Sequence, residues 1–294
     1  MARKVIKLMG MNHKKRIINL QEVKESKESS QAYFDSILSL EELSDHDQLT
    51  ALYFHAQNHL SVLMELFSDM PAFNKFDMKA YQADKKYMPS YPPMSPVTNS
   101  HFFCWNAFDL MTQGVNRESY CTVIVDYCKS VDFDAYLVEI FEEFQNSYVG
   151  LYVHEKHDGQ YVYLRELVTG KQIKSIVATG YLGNVGELWY ARVLPTLSDR
   201  FDYSVIFGTP YILVNHGFQD LERAWIDYFE RKLTLSANIA PEKSYQEFMK
   251  SGESHNFWME YITLAYFNFS SDNIQLKGIP DIPESMPLSH LAAW

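Results

Sequence analysis

Residues 149–214 hold five short stretches, VGLYVHEK, QYVYLREL, QIKSIVAT, GELWYARVLP and YSVIFGTPYILV, closely spaced between turn signals. Alternation rich in Val, Ile and Tyr sends every second side chain to one buried face, and His157-Asp158-Gly159 and Thr169-Gly170 supply tight hairpin turns. Five such strands are what a small antiparallel barrel, or a strongly bent sheet, needs to hide its edges.

Helical periodicity flanks this run. Leu49, Tyr53, Ala56, Leu60, Leu63 and Phe67 recur at three- and four-residue steps, and Ser44 and Asp47 precede them as start signals. Phe133, Leu137, Ile140, Phe141 and Phe144 form a second stripe, with Ser130 or Asp132 as the expected cap and Glu139, Glu142 and Glu143 on the solvated side. SQAYFDSILSL reads as a short amphipathic helix, and residues 118–129 as a further one. Beyond the strands, Phe218 to Phe229 and Phe257 to Tyr266 predict two C-terminal helices. The chain is therefore α+β: a helical N-terminal half, a small β-barrel and two C-terminal helices. Its segments are a basic arm (1–20), a helical region (21–78), a Pro/Tyr/Met-rich extended connection (79–100), a second helical region (101–148), the barrel (149–214) and C-terminal helices with an extended tail (215–294).

Net charge is −11, which removes long-range attraction to phosphate for the molecule as a whole. The first 20 residues run against that balance, with Arg3, Lys4, Lys7, Lys14, Lys15 and Arg16 and no acid. This arm suits either a solubilising terminus or contact with nucleic acid or an acidic partner. Cys104, Cys121 and Cys128 are too few for a closed disulfide set and sit among apolar residues, as reduced buried thiols do. No apolar run reaches the length of a signal or a membrane span, so a cytoplasmic location without membrane association is expected.

Candidate chemistry is sparse. His55 and His59 have the four-residue spacing of a shared metal ligand pair, but no glutamate follows the first histidine as in HExxH. His101, Cys104, Cys121 and Cys128 lack the paired knuckle spacing of structural zinc sites. Gly180, Gly183 and Gly186 form GxxGxxG ahead of a strand, without the Lys-Ser/Thr and helix of a phosphate loop. No cofactor is implied. The barrel interleaves aromatic and basic residues, and Tyr161, Tyr163, Arg165, Tyr181, Trp189 and Arg192 are its candidate binding residues.

The succession LRELVTGKQIKSI, GELWYARVLP, IFGTPYIL and FWMEYITLAY resembles a pattern in poorly characterised bacterial proteins related to the SEC-C-motif group, over residues 149–268. The resemblance implies architecture alone. The cysteine-rich SEC-C motif itself is absent, so neither its zinc nor a SecB-type partner carries over.

These features favour a non-enzymatic adaptor that binds a protein partner, since twenty tyrosines and five tryptophans are the residues interfaces use. A metal-dependent hydrolase or nuclease built on His55 and His59, of the kind found in toxin or phage-defence systems, is the alternative. Nucleic-acid binding through the basic arm and barrel is a third reading.

Overall fold

Leu49, Tyr53, Ala56, Leu60, Leu63 and Phe67 line the buried face of one long helix, as their spacing requires. Its first turn is capped by Asp47, whose Oδ1 accepts from the amides of Leu49 and Thr50 at 3.0 and 3.1 Å. This computed structural model describes residues 37–68, 73–87, 96–111, 117–197, 200–233, 240–252, 257–269 and 273–287. The helices among them are α1 (Gln48–Ser68), α2 (Asn74–Tyr87), α3 (Pro96–Cys104), α4 (Tyr120–Ser130), α5 (Ala135–Asn146), α6 (Leu221–Leu233), α7 (Pro241–Ser251) and α8 (Phe257–Ala265). The strands are β1 (Tyr148–Asp158), β2 (Tyr161–Glu166), β3 (Gln172–Val177), β4 (Leu188–Leu194), β5 (Ser204–Ile206), β6 (Tyr211–Val214), β7 (Tyr266–Phe269) and β8 (Ile274–Lys277). The fold is α+β.

The chain forms two units, one of residues 1–81 and 110–146, the other of residues 82–109 and 147–294. In the first, α1 packs on α4 and α5. Its core is an aromatic pile in which Phe73 stacks on Tyr120 at 4.8 Å and Phe67 meets Tyr127 edge-on at 4.9 Å. The cap of α5 is Asp134, accepting from the amides of Tyr136 and Leu137; of the expected Ser130 or Asp132, Ser130 ends α4 with its hydroxyl on Tyr127 O and Asp132 sits at φ +51° in the turn between.

The second unit holds the barrel. Strands pair β1–β2–β3–β5–β4, and β4 returns to β1, closing five strands. The hairpin pairings are antiparallel as expected, but β3 and β5 run parallel, a long-range closure that no turn signal reveals. Tyr152, Val162, Leu164, Val177, Trp189, Ala191 and Ile206 of these strands pack into one core cluster, which Ile212 of β6 joins. The fifth expected strand is two. Gly208, at φ +89°, and Pro210 interrupt it, so β5 completes the barrel while β6 pairs with the other end of β4 and leads out to β8 and β7.

Other expectations are corrected by tertiary packing. The stretch 79–100, expected as an extended connection, is helical at both ends, in α2 and α3, with 88–95 outside the described residues. Among the described residues the C-terminal region has three α-helices where two were expected. The unforeseen α7 starts with Pro241 at its first turn and buries Tyr245 and Met249. The expected extended tail instead holds β8, whose Ile274 and Leu276 are wholly buried, and a 3-10 turn at Pro283–Ser285 between the buried Ile279 and Met286, with 288–294 outside the described residues. Of SQAYFDSILSL, residues 37–40 are non-helical and the rest lies outside the described residues, as does the basic arm. No helix among the described residues is long and apolar enough to cross a membrane.

Candidate functional site

The pleat of β2 splits YVYLRE between two environments. Val162, Leu164 and Glu166 point inward and are fully buried, while Tyr161, Tyr163 and Arg165 point outward and are half-buried. Opposite them across the two hairpins stand Val153, Lys156 and Asp158 on β1 and Gln172, Lys174 and Ile176 on β3. Residues directly opposed in an antiparallel pair share a face, so register alone builds an aromatic and basic surface here.

Each tyrosine carries a lysine. The Lys156 ammonium lies 4.4 Å from the centre of the Tyr163 ring, and the Lys174 ammonium 4.2 Å from that of Tyr161. Tyr203 extends the patch, edge-on to Tyr161 at 5.4 Å, and Phe201 adjoins it at 5.7 Å.

Carboxylates hold two of the cations. Arg165 donates from Nε to Glu155 at 2.8 Å and from Nη2 to Glu222, at the start of α6, at 2.9 Å. Lys174 reaches Asp202 at 2.8 Å, which holds the lysine above its usual range and the aspartate below its own. The surface is thus aromatic, directional and locally close to neutral.

No protein-family model matches this chain, and neither a curated protein nor a solved structure is significantly similar to it.

The other expected binding residues lie elsewhere. Trp189 is inside the barrel, its Nε1 donating to Glu187 at 2.8 Å, and Tyr181 packs against the same interior cluster while donating to Glu187 at 3.3 Å. Tyr181 and Glu187 belong to the loop 178–187, whose three glycines all have positive φ and whose Asn184 amide also binds Glu187, at 2.7 Å. Arg192 is 1% exposed and paired with Asp109, so it is an internal residue. The sequence had pointed to the aromatic residues, but alternation by itself does not say which side of β4 faces in. The roles of Lys156 and Asp202 were not anticipated: the first depends on a bulge between His154 and Lys156, the second on the parallel approach of β5.

His55 and His59 do meet, with Nε2 atoms 3.2 Å apart. His101 and Cys104 belong to one unit and Cys121 and Cys128 to the other. All four are buried, and burial pushes the Cys104 thiol up to about 12 and that of Cys128 to about 11. His154 lies in the barrel with Nδ1 2.9 Å from Asn184 O and Nε2 3.1 Å from Lys156 O. Among the described residues no group of three or more His, Cys, Asp or Glu is placed to share a metal ion.

Proposed function

We propose that this protein works by contact, binding a protein partner across the outward face of β1, β2 and β3. The observation that carries this reading is the placement of Tyr161 and Tyr163 on that face, each half-buried and each under a lysine ammonium. Rigid aromatic side chains lose little entropy on binding and supply large contact areas, which is why they dominate interface hot spots. The charge balance favours a protein over a nucleic acid. Arg165 and Lys174 already hold carboxylates, so they release few counterions to a phosphate backbone. Five-stranded Greek-key barrels bind oligonucleotides and oligosaccharides on the face of strands 2 and 3, which makes nucleic acid the competing reading for this surface. The resemblance to SEC-C-related proteins adds an architectural context and no partner.

The test replaces Tyr161 and Tyr163 by alanine together. Crosslinking from a photoreactive residue at position 174 in the native host, read by mass spectrometry, should yield one reproducible protein adduct. The double variant should weaken that complex by about 2 kcal/mol or more, about thirtyfold, with an unchanged melting temperature. Fluorescence anisotropy with single-stranded RNA and DNA at physiological salt decides the competitor. Tight oligonucleotide binding that the double variant abolishes would replace the protein reading by a nucleic-acid one.

A further inference from the structure

His55 and His59 occupy successive turns of α1, with ring centroids 4.6 Å apart, planes at 78° and Nε2 atoms separated by 3.2 Å. The first ring is oriented from outside the helix: its Nδ1 lies 2.8 Å from the carbonyl oxygen of Leu38. A carbonyl only accepts, so the proton of the neutral ring is on Nδ1 and the Nε2 lone pair faces His59. This second contact, an imidazole N–H donated to a backbone carbonyl, is the arrangement that orients histidines bound to metals. His59 is half-buried beside Phe133.

We propose that His55 and His59 chelate a divalent transition-metal ion of the zinc and copper class through both Nε2 atoms, with solvent completing its coordination. Two imidazole nitrogens bound to zinc at about 2.0–2.1 Å and a tetrahedral angle stand about 3.3 Å apart. The pair is already at ligand separation. Binding requires a tautomer change, in which the proton lying between the two rings moves to the other nitrogen of His59, and a rotation of the rings that turns the two Nε2 lone pairs from each other onto the metal. Two imidazoles select zinc, copper or nickel over magnesium or calcium, which demand oxygen ligands. Both rings are partly exposed, which provides an entry path. The proposal is independent of the barrel face. It assigns a metal site and no hydrolytic reaction.

The experiment is calorimetric titration of the full chain with zinc at pH 7.4, for wild type, His55→Gln, His59→Gln and, as a control on an exposed histidine, His157→Gln. Wild type and the control should bind one ion alike, and either variant of the pair should lose more than about tenfold in affinity. The melting temperature should rise with zinc in wild type and stay unchanged in the two variants. Should either variant fold poorly, nitrogen-edited histidine spectra of wild type replace it: zinc should shift Nε2 of His55 and His59 selectively. No stoichiometric uptake by wild type, equal affinity in folded variants, or ring shifts confined to other histidines would each overturn the site.

Discussion

The carboxylate of Asp109 meets the guanidinium of Arg192 inside the second unit, where neither side chain is more than 2% exposed. Arg192 also donates from Nη1 to the carbonyl and the hydroxyl of Ser147, both at 3.0 Å, and lies 5.5 Å from the centre of the Phe108 ring. Burial pushes the Asp109 carboxyl up, while Arg192 opposes that shift. Asp109→Ala would strand a buried guanidinium and should cost about 3–5 kcal/mol in urea unfolding. Joint replacement by Asp109→Leu and Arg192→Met should cost clearly less, since no charge remains to be compensated. A loss under about 1 kcal/mol for Asp109→Ala would mean that water reaches Arg192.

Gly183 is locked by its surroundings. Its φ is +59°, and a Cβ there would overlap the Glu187 carboxylate and lie 2.7 Å from Trp189 Cζ2. Gly183→Ala should destabilise by about 1–3 kcal/mol through backbone strain and overpacking, and should shift the emission of Trp189 as its bond to Glu187 is disturbed. Gly159→Ala is the comparison: its φ is the same +59°, but no atom lies within 4 Å of the added Cβ, so it should cost less.

The three cysteines should be slow to label. Cys104, Cys121 and Cys128 are free and buried, and Cys121 donates its thiol to Phe141 O at 3.2 Å. Thiolate is the reactive form, and the raised values at Cys104 and Cys128 suppress it. Titration with a chromogenic disulfide at pH 8 should proceed only as fast as the protein opens, and burst labelling of all three would contradict their burial.

Acid should weaken the fold from about pH 6.5 downward. His101 donates from Nε2 to Thr209 O at 3.0 Å in a buried setting, and burial lowers its pKa to about 4. The unfolded chain takes up that proton near pH 6.5, whereas the folded one refuses it until about 4. Stability is therefore full above about pH 6.5 and falls between there and about 4, with His59 acting in the same direction. Urea midpoints from pH 7.5 to 4.5 should drop along this window, and His101→Gln should flatten part of the slope. An unchanged slope in that variant would show His101 accepting its proton in the folded state.

The elements whose periodicity is local were legible in the sequence. The buried stripe of α1, the faces of α5 and the first four strands follow from 3.6- and two-residue repeats, because a repeat in the chain maps directly onto a face in space. What needed tertiary structure was every relation between distant segments. The parallel closure of β3 on β5, the capture of Arg192 by Asp109 and the arrival of Asp202 at Lys174 join residues from 28 to 83 positions apart. The same limit governed the candidate site. The composition pointed to tyrosines and basic residues, and the turns supplied the hairpin register that faces Tyr163 with Lys174. Whether a strand residue faces outward to solvent or inward to another layer, as Tyr161 and Trp189 respectively do, depends on what packs against the sheet, and no alternating pattern contains that information.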